Sequence, residues 1–143
     1  MHCVKLIIGV ASMKKSVMKK WVKALRSGEY LQCKGELTEK NKKGQDTFCC
    51  LGVLTNLYVE ENGISKLKLP NSKGNTLNFW KYNENYASYL SMAVQSWAGM
   101  SSSNGRLPIG TLNENANTLA GLNDKGSSFE EIADIIEKNY KEL

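Results

Sequence analysis

Histidine is almost missing from this chain, and that shortage removes more chemistry than any other. The one copy is His2, near the N-terminus, so neither a Ser/His/Asp triad nor a Cys–His pair has its base. A thiol needs such a base, or a cation beside it, to reach a useful pKa. Cysteine occurs four times, at positions 3, 33, 49 and 50, with no CxxC pair. Four separated thiols and one imidazole are a poor tetrahedral zinc set, so no metal is expected. The acids are scattered, and no two stand out as a general acid and base. No cofactor motif is present, and an enzyme is the last of the functions to expect. Long apolar runs are also lacking: nothing approaches the roughly 18 residues that would span a bilayer. The opening segment Leu6–Ala11 is too short and weakly apolar for a secretory signal. Reduced thiols in a cytosol, and no membrane partner, are the corresponding expectations.

What is present is an ordinary globular composition, 41% hydrophobic and 23% charged over 143 residues. That length suits one domain burying roughly two thirds of its unfolded surface. The charge is uneven. Residues 1–43 carry eleven Lys/Arg against three acids, and residues 44–143 carry eight against eleven, for a net charge of +5. A basic end of this kind can attract phosphate-bearing partners or simply keep one face solvated.

The stretch Asp46–Asn62, DTFCCLGVLTNLYVEEN, is apolar around more than half of a helical circumference through Cys49, Cys50, Leu51, Val53, Leu54, Leu57 and Tyr58. Such a helix must be covered on several sides, which places it at the centre of the fold. Its remaining arc, Gly52, Thr55 and Asn56, is small enough to admit another backbone or a ligand. Asn62-Gly63 is the stop. Before it, Ser12 or Ser16 can cap a helix reaching about Arg26, with Val17, Met18, Trp21, Ala24 and Leu25 on one side. Lys15, Lys19, Lys23 and Arg26 line another. Tyr30–Thr38 alternates like a strand, with Leu31, Cys33 and Leu37 on one face, and NKKGQ at 41–45 is a turn. Leu67, Leu69, Leu77 and Phe79 suggest one or two short strands flanking a turn at Pro70–Asn75. Helical spacing resumes over Tyr86–Trp97 and again near Leu112–Leu122, separated by the loop MSSSNGRLPIG. The last helix opens with a capping box, Ser128 and Glu131, and carries the stripe Phe129, Ile132, Ala133, Ile136 and Tyr140. The expected fold is α+β: a single compact domain over residues 13–143, mostly helical around a buried central helix, with a small antiparallel sheet. Residues 1–12 form an N-terminal extension or edge strand.

The motifs ALRSGEY at 24–30, FCCLGVLTNL at 48–57, QSWAG at 95–99 and LNDKGSSFEEIADIIE at 122–137 together resemble a family of small, largely uncharacterised bacteriophage-encoded proteins. The resemblance spans most of the chain from Met13 onward and carries no catalytic residues to transfer. It implies an accessory role in the host cytosol, such as disabling a defence by sequestering a nucleotide-derived immune signal.

GSSFEEIAD has the look of a helix-turn-helix opening, but Glu130, Glu131, Asp134 and Glu137 would repel DNA, and no recognition helix follows. Asn123-Asp124-Lys125-Gly126 reads as a helix-to-helix turn. The best ligand-binding constellation is the aromatic, polar region holding Trp80, Tyr82, Tyr86 and Tyr89, with Lys81, followed by the loop containing Arg106. Aromatic faces stack on bases, and Arg holds phosphate. The expected site has Trp80 and Tyr82 stacking, and Arg106 with Lys23 or Arg26 neutralising charge. The expected partner is a small anionic, nucleotide-like ligand, bound without catalysis. Two rivals stand beside it: a host protein inhibited through the 64–110 face, and non-specific nucleic acid gripped by the first helix. Pockets shared between copies of the chain in a homo-oligomer are compatible with each.

Overall fold

The periodicity of the first helix is realised over Lys15–Arg26, here α1. Val17, Met18, Trp21, Val22 and Leu25 go inward, while Lys15, Lys19 and Lys23 stay in water. The computed structural model describes residues 12–62, 69–70, 76–77, 88–112 and 117–143. The N-cap of α1 is Lys14, whose side chain caps nothing. The helix entrance is fixed instead by the Lys14 N–H, which donates to the Ala98 carbonyl at 2.9 Å. Gly99 allows that approach, since a Cβ on it would stand 2.9 Å from the Ser12 carbonyl oxygen.

After α1 the chain builds a small sheet. Strands β1 (Leu31–Gln32), β2 (Thr38–Lys40) and β3 (Asp46–Phe48) lie in the order β1-β3-β2. Strands β2 and β3 form an antiparallel hairpin around the Asn41–Gln45 turn, whereas β1 runs parallel to β3. The sheet is therefore mixed rather than wholly antiparallel. Gly35, at φ +80°, breaks the alternation expected over Tyr30–Thr38 and sends the chain to the far side of β3. Leu31 consequently points outward, 45% exposed, while Cys33 and Leu37 are buried.

The central helix, α2, spans Cys50–Glu61. Every residue from Cys50 to Asn56 is buried, as its unbroken apolarity requires. It begins later than the apolar run suggests. Asp46–Phe48 is claimed by strands on both sides, and the extended Cys49 gives its N–H to the Leu37 carbonyl at 3.1 Å. The small arc of this helix meets backbone. A Cβ on Gly52 would lie 1.8 Å from the Leu37 oxygen, so α2 and the chain entering β2 touch at a position that only glycine fills. Asn56 on the same arc donates to the Tyr30 hydroxyl at 2.9 Å. Trp21, fully buried, donates its indole N–H to the Cys50 carbonyl at 2.9 Å and fastens α1 to the start of α2.

A short antiparallel pair follows, β4 (Leu69–Pro70) with β5 (Thr76–Leu77), at the place where the leucine spacing suggested strands. Helix α3 covers Met92–Ala98; Ser91 caps it by accepting from the Val94 N–H, and Gly99 closes it in the left-handed conformation. Tyr86 lies outside the described residues. Helix α4 covers Leu119–Asp124 and starts later than the sequence suggests, because Thr118 takes the cap and accepts from Gly121 N–H at 2.9 Å. Helix α5, Phe129–Asn139, carries the full Ser128/Glu131 capping box and ends in a 3-10 turn, Tyr140–Glu142. It packs chiefly on α1, burying Phe129, Ile132, Ala133 and Ile136. Among the described residues this is an α+β domain of five α-helices, α2 the central one, with one three-stranded and one two-stranded sheet. None of its helices is long and apolar enough to cross a membrane.

Candidate binding cleft

Asn123 is the buried polar residue from which the site is assembled. It sits at the end of α4, on the same face as Leu119 and Leu122, and is fully enclosed. Its Oδ1 accepts from the Cys50 N–H at 3.1 Å and from Gln32 Nε2 at 2.8 Å; its Nδ2 donates to the Cys33 carbonyl at 2.8 Å. One amide thus joins α4, the end of β1 and the first turn of α2, where unsatisfied N–H groups need an acceptor. Next to it, Asp124 Oδ1 accepts from the Gly35 N–H at 2.8 Å and holds the turn between β1 and β2.

These anchors leave a cleft of about 230 Å³. Gly35 and Asp124 form one side, Thr118, Ala120 and Gly121 of the α4 entrance another, and Ser88, Tyr89 and Asn104 the rest, with Cys49 also on the lining. The loop carrying Asn104 is tied down by two bonds, Leu119 N–H to the Gly105 carbonyl at 2.9 Å and Ala120 N–H to the Asn104 carbonyl at 3.2 Å. Gly105 (φ +71°) lets it close on α4, since a Cβ there would collide with Leu119 at 2.8 Å.

Cys49 lines the same cleft as the Asp124 carboxylate, an arrangement in which catalysis by a thiol must be considered. The electrostatics oppose it. Cys49 is 4% exposed, and burial pushes its thiol up to about 12. Burial also pushes the Cys50 thiol well above its ordinary value, and that sulfur donates to the Leu119 carbonyl at 3.6 Å. Both are protonated at neutral pH, so they line and fill rather than attack.

The residues anticipated as ligand contacts are not gathered into one place. Arg26 is committed elsewhere: its guanidinium contacts Asp134 at 2.5 Å, Glu137 at 3.1 Å and Glu130 at 3.4 Å, all on α5. The hydrogen bonds to Asp134 and Glu137 raise its pKa further. Lys23 is exposed on α1 and makes no ion pair with the described residues. Arg106 is exposed and pairs through its backbone with Thr118, which puts it next to the cleft wall. Trp80, Tyr82, Lys81 and Tyr86 lie outside the described residues; Tyr89, from the same aromatic cluster, lines the cleft and is 47% exposed. Asn123 and Asp124, read from sequence as turn formers, are the residues that shape it. The available signal was position: Asn123 follows Leu119 by four residues and Leu122 by one, and a polar side chain on a core-facing stripe must be paired inside. Among the described residues no three His, Cys, Asp or Glu side chains come together as metal ligands.

No curated protein and no solved structure matches this chain. The model of a domain of unknown function, DUF8296, matches residues 13–140, from the buried Met13 into the final 3-10 turn. With nearly its whole length inside that match, the chain belongs to the DUF8296 family.

Proposed function

We propose that this chain is a bacteriophage accessory protein that binds and sequesters a small nucleotide-derived immune signal in the host cytosol, without catalysis. The observation that carries the reading is the cleft bounded by Tyr89, Asn104, Thr118 and Asp124, with Arg106 paired to its wall. Its volume of about 230 Å³ is below the roughly 300–1,000 Å³ typical of sites that enclose a drug-sized ligand. That volume is of the size of a single heterocycle, and the charged remainder of a nucleotide would lie outside, on the side of the Arg106–Thr118 bridge. The absence of catalysis is argued from the Cys49 and Cys50 thiols, which burial keeps protonated. Calorimetry against a panel of cyclic and linear nucleotides tests the reading. Binding that survives moderate salt is expected, because the ring contacts are not ionic; no heat with any member overturns it.

A second reading, inhibition of a host protein, is favoured by one observation. Among the described residues, three of the four large exposed hydrophobic side chains fall within residues 89–109: Tyr89, Met92 (64% exposed) and Ile109 (86% exposed). On that reading a pull-down from host lysate recovers a stoichiometric partner that the double variant Met92→Lys/Ile109→Lys loses, while nucleotides stay inert.

A further inference from the structure

The protein carries a net charge of +5, yet among the described residues the one carboxylate or cationic group lining its cleft is a carboxylate, Asp124. Asp124 is exposed at the edge of the cleft, where its charge disfavours a phosphate and favours a ligand group that donates hydrogen bonds. One Asp124 oxygen already accepts the Gly35 N–H at 2.8 Å, and the other has no hydrogen bond to the described residues. A carboxylate offers about four lone-pair sites, so most of its accepting capacity remains. Around it stand one amide side chain, Asn104, and the hydroxyls of Ser88 and Thr118. The Thr118 oxygen takes the Gly121 N–H at 2.9 Å, which leaves its own proton to donate. Tyr89, half in solvent, supplies an aromatic face.

A carboxylate with accepting capacity on both oxygens selects two adjacent N–H donors on one edge of a planar ring. Guanine presents such an edge through its ring N1–H and its exocyclic amino group. Adenine and cytosine set an exocyclic amino group beside a bare ring nitrogen, whose lone pair faces the carboxylate. Uracil flanks its ring N–H with two carbonyl oxygens. Resting on the proposed sequestration of a nucleotide-derived signal, we propose that the base held in this cleft is guanine. Asp124 accepts from N1–H and the amino group, Tyr89 lies against the ring, and the phosphate stays outside on the side of Arg106.

The test is calorimetry of the full chain with GMP, IMP, AMP, CMP and UMP. GMP is expected to bind best. IMP, which lacks only the amino group, should bind about ten-fold or more weaker, the loss of one hydrogen bond to a charged acceptor. Asp124→Asn keeps an oxygen for the Gly35 N–H but replaces an acceptor with a donor. It should lose GMP and gain XMP, whose C2 carbonyl accepts where guanine donates. Binding of XMP by that variant also reports that it is folded. Equal affinity for all five mononucleotides, or preference for AMP, overturns the guanine assignment and leaves sequestration standing. GMP binding unchanged in Asp124→Asn overturns it as well. No binding of any mononucleotide, with heat from none of the cyclic and linear panel, overturns both.

Discussion

Replacing Asn123 with Ala removes one small side chain and takes a hydrogen-bond partner from three polar groups at once. The buried Cys50 N–H loses its side-chain acceptor, the Cys33 carbonyl loses its donor, and Gln32 Nε2 loses one of two acceptors. Gln32 keeps its bond to the Ser127 carbonyl at 2.8 Å and sits on an exposed strand, so its loss is minor. The Cys50 N–H is enclosed, since Cys50 and Asn123 are both fully buried. An unsatisfied buried donor costs about 1–3 kcal/mol, and the Cys50 N–H sets that cost. Against a typical total of about 5–15 kcal/mol that is a substantial fraction of the stability. At roughly 3–4 °C per kcal/mol for a chain of this size, Tm should fall by about 3–12 °C. Urea denaturation followed by circular dichroism measures this directly, with Gln32→Ala as the control expected to lose under about 1 kcal/mol. If Asn123→Ala unfolds within about 0.5 kcal/mol of the parent, the Cys50 N–H is satisfied without the amide. The account of how the cleft is assembled would then be wrong.

Three further outcomes follow from the same geometry. Gly52→Ala gains about 1 kcal/mol of helix propensity, but its Cβ would lie 1.8 Å from the Leu37 oxygen. Overpacking of about 1–3 kcal/mol or more should win, leaving a protein that melts lower or is insoluble, and a higher Tm would contradict the close approach. Glu61 accepts from Lys20 and from the Trp97 indole N–H, and the Lys20 bond is the larger cause of a pKa below the ordinary 4.5. In the folded state Glu61 therefore releases its proton earlier than in the unfolded chain. Its contribution is complete above about pH 4.5 and is lost as pH falls through the lower folded value. Glu61→Gln should flatten that acid limb in stability measurements, and an unchanged slope would exclude the contact. Cys49 has the opposite sign. Its folded thiol, at about 12 against 9.0, favours the native state below about pH 9 and loses that contribution as pH rises toward 12. In a Cys3→Ser background, iodoacetamide at pH 8 should label Cys49 and Cys50 only after denaturation, as read by mass spectrometry; rapid native labelling of Cys49 would restore it as a nucleophile.

The core elements were legible because their signals are local. The apolar run through Cys50–Val59 demands cover on all sides whatever surrounds it, and the structure buries it. Ser128 and Glu131 bond reciprocally because the capping box needs only its own helix end. Boundaries were less legible where partners distant in sequence compete for the backbone. Asp46–Phe48 continues an apolar helix pattern, yet hydrogen bonds to β1 and β2 make it a strand. The charge stripe of α1 was visible, but not that three acids of α5 would take Arg26 away from any ligand.

Chain order by itself determined an α+β domain with a buried central helix, since periodicity and composition are properties of residues as they stand in line. Folding alone decided the cleft. Its lining comes from Gly35, Cys49, Ser88 and Tyr89, Asn104 and the Thr118–Asp124 segment, which no sequence window contains together. They meet because buried backbone groups at Cys33 and Cys50 had to find hydrogen-bond partners, and the Asn123 side chain at the end of α4 supplied them.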